Sequence, residues 1–243
     1  MIKYLVTCLK PNVDNSIENF KLELGKYNNF FDGKRQQDAY ECLVLFLEVL
    51  HVGTKTCLIN DDGNLHLEED LFTSVTKKLF MSTTKTTFKC IYCGHYSCIF
   101  SEGQSIFINP IQNKTVSELM INTFSGTVTK FCIVCNTDTM HEEKLNMEQP
   151  PKILTIVINR FDSYNSGRKN DTPIIIDKIT ECNGCSFQLL ALIDHHGICT
   201  SSGHYTSKIF YSDLIYSCND SAIKEVTFNE LSNSVYILFY TLR

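Results

Sequence analysis

The residues with the plainest chemistry are cysteines, of which the 243-residue chain has 12. Three pairs are separated by two residues: Cys90/Cys93, Cys132/Cys135 and Cys182/Cys185. Cys90-Ile91-Tyr92-Cys93-Gly94 and Cys132-Ile133-Val134-Cys135-Asn136 each have the form of a zinc knuckle, a tight turn presenting two thiolates to one tetrahedral ion. Gly94 and Asn136 are residues that accept the left-handed turn geometry in which backbone amides point at the sulfurs. Four thiolates leave no open coordination position, so the expected cofactor is one structural zinc ion. The competing reading is a set of buried thiols acting as small apolar residues. Cys182-Asn183-Gly184-Cys185 has no fourth partner pair and contains Asn-Gly, so it reads as a hairpin turn flanked by two cysteines rather than a redox or metal site. Cys42, Cys57 and Cys98 are expected to be packing residues.

The second group centres on histidine. Asp194-His195-His196-Gly197 and Ser201-Ser202-Gly203-His204-Tyr205 lie between the apolar runs Leu189–Ile193 and Ile209–Tyr211. A histidine at a strand start, after a glycine that permits close backbone approach, is well placed as a base at a cleft edge. After the next apolar run comes Asn219-Asp220-Ser221. Adjacent antiparallel strands would bring Asn219 beside His204, its amide oxygen accepting the Nδ1 proton and leaving Nε2 to face a nucleophile. From the residues alone, an ordinary strand-end histidine and a turn cluster at Asn219-Asp220-Ser221 stay open beside this reading.

These residues need elements to position them. Val13, Ile17, Phe20 and Leu24 recur at helical spacing, and a second helix follows the polar opening Gln36-Gln37-Asp38, carrying Leu43, Leu45, Phe46, Leu47 and Leu50. Asp38 and Glu41 near its start complement the helix dipole. Asn60-Asp61-Asp62-Gly63-Asn64 reads as a turn. Beyond Leu71 the texture becomes Thr-, Val-, Ile- and Phe-rich, predicting strands of an antiparallel sheet over 83–89, 106–108, 153–158, 187–193, 204–211 and 235–240, with a short helix over 116–122. Helices first and strands later is an α+β arrangement. No repeat or proline-rich linker divides the chain, which favours one composite domain.

Composition narrows the partners. Lys and Arg number 22 against 27 Asp and Glu, a net charge of -5 with no basic block, so nucleic acid and anionic lipid are not expected. No apolar run approaches the roughly 18 residues that span a bilayer, and Met1 to Cys8 is too short for a signal peptide. The expectation is a soluble intracellular protein of cytoplasm or nucleus, with no membrane partner.

Taken in order, these pieces resemble the ubiquitin-specific protease family over nearly the whole chain. Gln36-Gln37-Asp38-Ala39-Tyr40-Glu41-Cys42-Leu43 is similar to that family's Gln-Gln-Asp-Ala-His-Glu-Phe-Leu helix start, and the first two cysteine pairs resemble its zinc-bearing fingers. Pro151 to Phe161 is similar to its strand ending in Arg-Phe. His195-His196-Gly197 through Gly203-His204-Tyr205 resembles its histidine box, and Asn219-Asp220-Ser221 with Val235 to Tyr240 its last segments. The resemblance implies a papain-like cysteine protease fold with a helical thumb over 1–80, zinc-ribbon fingers over 81–148 and an antiparallel β palm over 149–243. It also implies ubiquitin or ubiquitinated proteins as partners and hydrolysis of isopeptide bonds at the ubiquitin C-terminus. His204 becomes the general base, Asn219 its orienting partner and Asp220 a polar group near the oxyanion. Gln36, Asp38, Glu41, Gly203 and Tyr205 fall at substrate-binding positions, the two acids facing arginines near the ubiquitin tail.

One departure stands against these matches. The family's Gly-Asn-Thr-Cys box, which supplies the thiolate at a helix N-terminus and the oxyanion asparagine, lies well upstream of the glutamine helix. Only 35 residues precede Gln36 here, and their single cysteine, Cys8, has no Gly-Asn before it and Pro11 shortly after. That proline disfavours helical geometry at Lys10. Cys8 is therefore not read as the nucleophile, and these 243 residues alone are expected to be inactive. Three functions remain: a deubiquitinating thiol protease whose Cys box lies outside this sequence, a catalytically silent ubiquitin-binding scaffold of the same fold, and an unrelated zinc-stabilised interaction domain.

Overall fold

The computed structural model describes residues 16–31, 33, 36–54, 56–57, 72–161, 167–199 and 202–243. Cys8, Val13 and the turn expected over 60–64 lie outside them. The chain forms two compact units, Met1–Leu79 with Thr200–Ser202, and Phe80–Cys199 with Gly203–Arg243.

In the first unit, α1 (Ser16–Tyr27) and α2 (Ala39–Thr54) are the two helices that apolar spacing predicts. They meet through Phe20 and Phe46, whose rings lie edge to face at 5.6 Å, an arrangement worth about 0.5–1.5 kcal/mol beyond simple burial. Leu24, Leu47 and Val49 are buried. The start of α2 is fixed by its own sequence: Asp38 Oδ1 accepts from the amides of Tyr40 at 2.7 Å and Glu41 at 3.1 Å, the N-cap geometry that satisfies otherwise orphaned donors. Gln37 donates from Nε2 to the Phe30 carbonyl at 2.7 Å, tying the approach to the helix. Beyond α2 come the strand pair β1 (Thr56–Cys57) and β2 (Phe72–Thr73) and the short α3 (Val75–Phe80).

The second unit runs β3 (Ser82–Cys90), β4 (Tyr96–Gly103), β5 (Ile106–Ile108), α4 (Val116–Phe124), β6 (Ser125–Cys132), β7 (Thr137–Gln149), β8 (Ile153–Ile158), β9 (Ile174–Ile175) and β10 (Ile179–Cys182). It continues through β11 (Cys185–Cys199), β12 (Ser202–Tyr211), β13 (Leu214–Asn219), β14 (Ala222–Glu225), β15 (Leu231–Ser232) and β16 (Val235–Leu242). Among the described residues these strands build a four-stranded sheet ordered β4-β3-β7-β6 and an eight-stranded sheet ordered β14-β13-β12-β11-β16-β8-β5, with β10 added on β11. β9 and β15 pair separately.

The central strands β8 and β16 are continuous apolar runs because both faces are covered. Leu154, Ile156 and Ile158 are buried on one face, and Val157 and Ile237 on the other. α4 joins the core through Val116, Leu119, Met120 and Phe124, each contributing roughly 1.5–3 kcal/mol by burial. Its N-terminus is a capping box: the Thr115 hydroxyl accepts from the Glu118 amide at 3.1 Å while the Glu118 carboxylate accepts from the Thr115 amide at 2.9 Å. The sheet departs from the all-antiparallel expectation at β5, which runs parallel to β8 with Ile106 opposite Ile156. A parallel pair needs a long crossover, and α4 with β6 and β7 supplies one.

Candidate functional site

The four-stranded sheet ends in two hairpin tips that carry the first two cysteine pairs. Cys90 closes β3 and Cys132 closes β6, each followed by a turn to its partner cysteine. Gly94 has φ 73° and Asn136 φ 53°, the left-handed values these residue types tolerate. The turns are closed by Gly94 N–H donating to the Cys90 carbonyl at 2.9 Å and by Cys135 N–H donating to Cys132 Sγ at 3.5 Å. All four sulfurs lie within 4.8 Å of one another, with Cys90 to Cys135 at 3.9 Å and Cys93 to Cys132 at 3.6 Å. A tetrahedral ion with metal–sulfur bonds of about 2.3 Å needs sulfur–sulfur edges of about 3.8 Å. The donor set therefore fits a four-coordinate metal ion. Hydrogen bonds from the Thr139 hydroxyl and backbone amides hold the Cys90 thiol down, while the neighbouring Cys93 pushes the Cys135 thiol up, as expected of thiols too close to ionise together.

The histidine segment lies on the β11–β12 hairpin. Alternation along β12 puts His204, Thr206 and Lys208 on one face. The β12–β13 register sets Ser207 opposite Cys218, so Asn219, one residue further, falls on the face of His204, while Cys218 falls on the other. There His204 Nε2 and Asn219 Oδ1 are 2.6 Å apart. Since an amide oxygen only accepts, Nε2 is the donor in this contact. This reverses the expected nitrogen assignment. The reason is geometric: Asn219 approaches from the neighbouring strand onto the tip of the ring, which Nε2 occupies. Asp220 begins the two-residue turn into β14 at φ 49° and is exposed.

The same face carries two further polar pairs. His196 Nε2 lies 2.8 Å from the Thr206 hydroxyl. Lys208 Nζ reaches the buried Asp194 Oδ2 at 2.5 Å, and Asp194 Oδ1 accepts from Ser234 Oγ at 2.8 Å. Together they anchor the histidine strand to β11 and to the approach to β16.

Beneath this strand, His195 is buried and stacks edge-on with Phe161 at 5.1 Å and tilted with Tyr205 at 4.9 Å. Tyr236 completes the cluster against Phe161 at 5.3 Å. A Cβ at position 203 would meet His195 Nε2 at a distance far inside contact, the His195 Cε1 at 2.8 Å and the His196 carbonyl at 2.9 Å. Gly203 is thus required by the ring it lies against. Lys169 Nζ, also buried, donates to the His195 carbonyl at 2.8 Å.

Arg160 is fully buried and staples the neighbouring loops. It donates from Nε to the Val235 carbonyl at 2.5 Å and from Nη1 to the carbonyls of Asn170 at 2.8 Å and Thr172 at 3.0 Å. Burial lowers its pKa to about 10, partly offset by Asp171 and Asp194. In the sequence Arg160 stands only as the arginine that ends an apolar strand, with no role of its own. His195 falls inside the histidine segment without a separate role, and Lys169 carries no sequence signal.

Of the expected site residues, His204, Gly203, Tyr205, Asn219 and Asp220 come together in the second unit, and the four cysteines gather in its four-stranded sheet. Gln36, Asp38 and Glu41 belong to the first unit, where Gln36 and Glu41 are exposed and Asp38 caps α2. Cys98, expected to pack, is exposed on β4, an edge strand with little on either face. Cys42 is half-buried, its thiol pushed up by burial and by Asp38. The side chain of Cys57 lies outside the described set.

The chain belongs to the ubiquitin carboxyl-terminal hydrolase family, whose model matches residues 5–240. It is similar to ubiquitin carboxyl-terminal hydrolase 51 of Mus musculus, 25% identical over 254 residues, covering 86% of this chain and 38% of the relative. It is 26% identical over 270 residues to ubiquitin carboxyl-terminal hydrolase 2 of Gallus gallus, covering 96% of this chain and 75% of that protein. Among solved structures, a SAGA DUB module of Ubp8, Sgf11, Sus1 and Sgf73 bound to monoubiquitin matches with TM-score 0.77 at 20% identity, over 95% of this chain and 54% of that one. The chain thus spans little more than a third of the murine relative and about half of the structural one.

Proposed function

We propose that this chain carries the histidine-bearing part of a deubiquitinating thiol protease acting on isopeptide bonds at the ubiquitin C-terminus. The observation that supports this most is the 2.6 Å bond between His204 Nε2 and Asn219 Oδ1. With Nε2 donating to Asn219, Nδ1 would face the nucleophile as the acceptor for a thiol proton and later, as imidazolium, as the donor to the leaving lysine amine. Asn219 then orients the base without taking a charge, and Asp220 lies beside it as a polar group toward the oxyanion. A scaffold that only bound ubiquitin would need neither the imidazole nor its partner.

In this reading the thiolate and the oxyanion asparagine come from a Cys box that Cys8 does not provide. Ubiquitin, and the ubiquitinated proteins it marks, are the partners. In the first unit Asp38 and Glu41 are the positions that would meet arginines near the ubiquitin tail, with Gln36 beside them; in the second unit Gly203 and Tyr205 are the substrate-binding positions. One structural zinc ion is held by Cys90, Cys93, Cys132 and Cys135; it would clamp the two hairpin tips together and take no part in the chemistry.

The test is hydrolysis of a ubiquitin C-terminal amide by the protein as it occurs in its own cells, with and without His204→Ala. The proposal expects at least about a 10³-fold loss of kcat/KM on removing the base. Full activity in His204→Ala would overturn the assignment. A protein that binds ubiquitin yet neither cleaves it nor reacts with ubiquitin bearing a thiol-reactive C-terminal electrophile would replace it with the scaffold reading.

A further inference from the structure

The third cysteine pair lies apart from both the metal centre and the histidine strand, and the hairpin expectation there is met in detail. β10 and β11 are joined by the two-residue turn Asn183-Gly184, with φ 48° and 79°, the pair of left-handed conformations that defines a type I′ turn. Cys182 and Cys185 are direct cross-strand partners. Residues that flank a two-residue hairpin turn form a hydrogen-bonded cross-strand pair, whose Cα atoms are about 5.5 Å apart, inside the roughly 4.4–6.8 Å window that a disulfide requires. Opposed residues also project from the same face of the ladder. Both are thiols in this structure. They are unequally exposed: Cys182 is 3% accessible and packs in the main core, while Cys185 is half-buried at its edge. Cys182 also lines a cavity of about 210 Å³, together with Asn183, Glu181, Phe124 and Met120.

We propose that Cys182 and Cys185 are a reversible thiol–disulfide site, oxidised by a hydroperoxide or a low-molecular-weight disulfide. With hydrogen peroxide, the more exposed Cys185 sulfur displaces water from the O–O bond to give a sulfenic acid, and Cys182 sulfur then displaces its hydroxyl as a second water. Two thiols and one peroxide become one disulfide and two waters. With a small disulfide, Cys185 forms the mixed disulfide and releases one thiol, and Cys182 releases the second. The division of labour follows from the environment: burial and the neighbouring Cys185 push the Cys182 thiol up to about 12, which suits a resolving thiol and not the one attacking first. A disulfide closing a two-residue turn constrains little chain entropy, and strained short bridges are easily reduced. The bond would act as a reversible modification and not as a fold staple, independently of the function proposed above.

Peptide mapping decides this on the wild-type chain. The zinc-loaded protein is equilibrated at graded ratios of oxidised to reduced glutathione, alkylated, digested with trypsin and sequenced by mass spectrometry. The expected result is an internal disulfide in the 179–208 peptide, 2 Da lighter than its dithiol form, that titrates with the ratio and returns on adding dithiothreitol. Cys182→Ser should convert it to a stable mixed disulfide on Cys185. A peptide that stays fully alkylatable while other cysteines oxidise would overturn the proposal. So would oxidation that pairs Cys199 with Cys182 or Cys185 in preference, since the argument rests on the register across the turn.

Discussion

The two sheets of the second unit hold together by different means. In the eight-stranded sheet the central strands are buried on both faces, and residues such as Ile156, Ile158, Ile237 and Leu238 are wholly removed from water. In the four-stranded sheet, β4 is exposed along nearly its whole length and β6 along most of it, with Ile99, Phe100 and Phe131 each more than half accessible. Burial stabilises the first sheet; the second has long ladders and little interior, and the zinc ion proposed above would cross-link its tips. Small regions that cannot bury enough apolar surface commonly rely on a metal in this way. The histidine–asparagine pair belongs to the sheet that is expected to fold without such an ion.

Chelation separates the two most sharply. Stripping the ion, or Cys132→Ser, is expected to abolish amide exchange protection throughout β3, β4, β6 and the tip of β7 while β8, β11 and β16 stay protected; equal loss in both sheets would break the contrast. In the large sheet, truncating a core side chain acts globally. Leu238→Ala should lower stability by about 2–5 kcal/mol, measured by denaturant unfolding, with the metal stoichiometry of the folded protein unchanged. Arg160→Leu should cost about 3 kcal/mol, because the carbonyls of Val235, Asn170 and Thr172, and that of Ser232 at 3.5 Å from Nη2, lose their donor inside the fold. Thr115→Ala should cost about 1 kcal/mol through the lost cap on α4.

The smallest effect is one of pH. Hydrogen bonding to Lys114, and the amide and hydroxyl of Thr115, hold the Glu118 carboxyl below its ordinary value. A depressed acid stabilises the fold above its unfolded pKa and loses that contribution as pH falls through the folded value. The destabilisation caused by Glu118→Gln, seen as a shift in melting temperature, should therefore shrink as the solution is taken below the usual glutamate range.

The same contrast explains what could be read beforehand. β8 and β16 were legible because burial on both faces writes a continuous apolar run, and α2 because its cap and apolar spacing agree. β4, β6, β7 and β14 were not: β6, β7 and β14 carry Thr, Lys and Glu without a clean apolar alternation, and β4 is exposed along most of its length. Their cysteines were legible all the same, because ligand spacing is a local property and needs no core. The pairing of His204 with Asn219 could be anticipated from strand adjacency. The nitrogen involved could not, because ring orientation depends on the direction from which the neighbouring strand arrives. Nor could the ring of His195 under Gly203, a contact that only the pairing of β11 with β12 makes.

The His204–Asn219 pair is, finally, a matter of counting. Its two members are supplied by neighbouring strands, and Asn219 faces the ring only because the turn begins one residue later, at Asp220. Inserting or deleting a single residue within β13 would send the carboxamide to the opposite face and put its neighbour in its place. The strand would still pair, and the core behind it would scarcely notice. The spacing between the turn at Ser212-Asp213 and the one at Asp220-Ser221 thus works as a ruler: its length, and not only the identity of the residues at its end, specifies whether the imidazole has a partner.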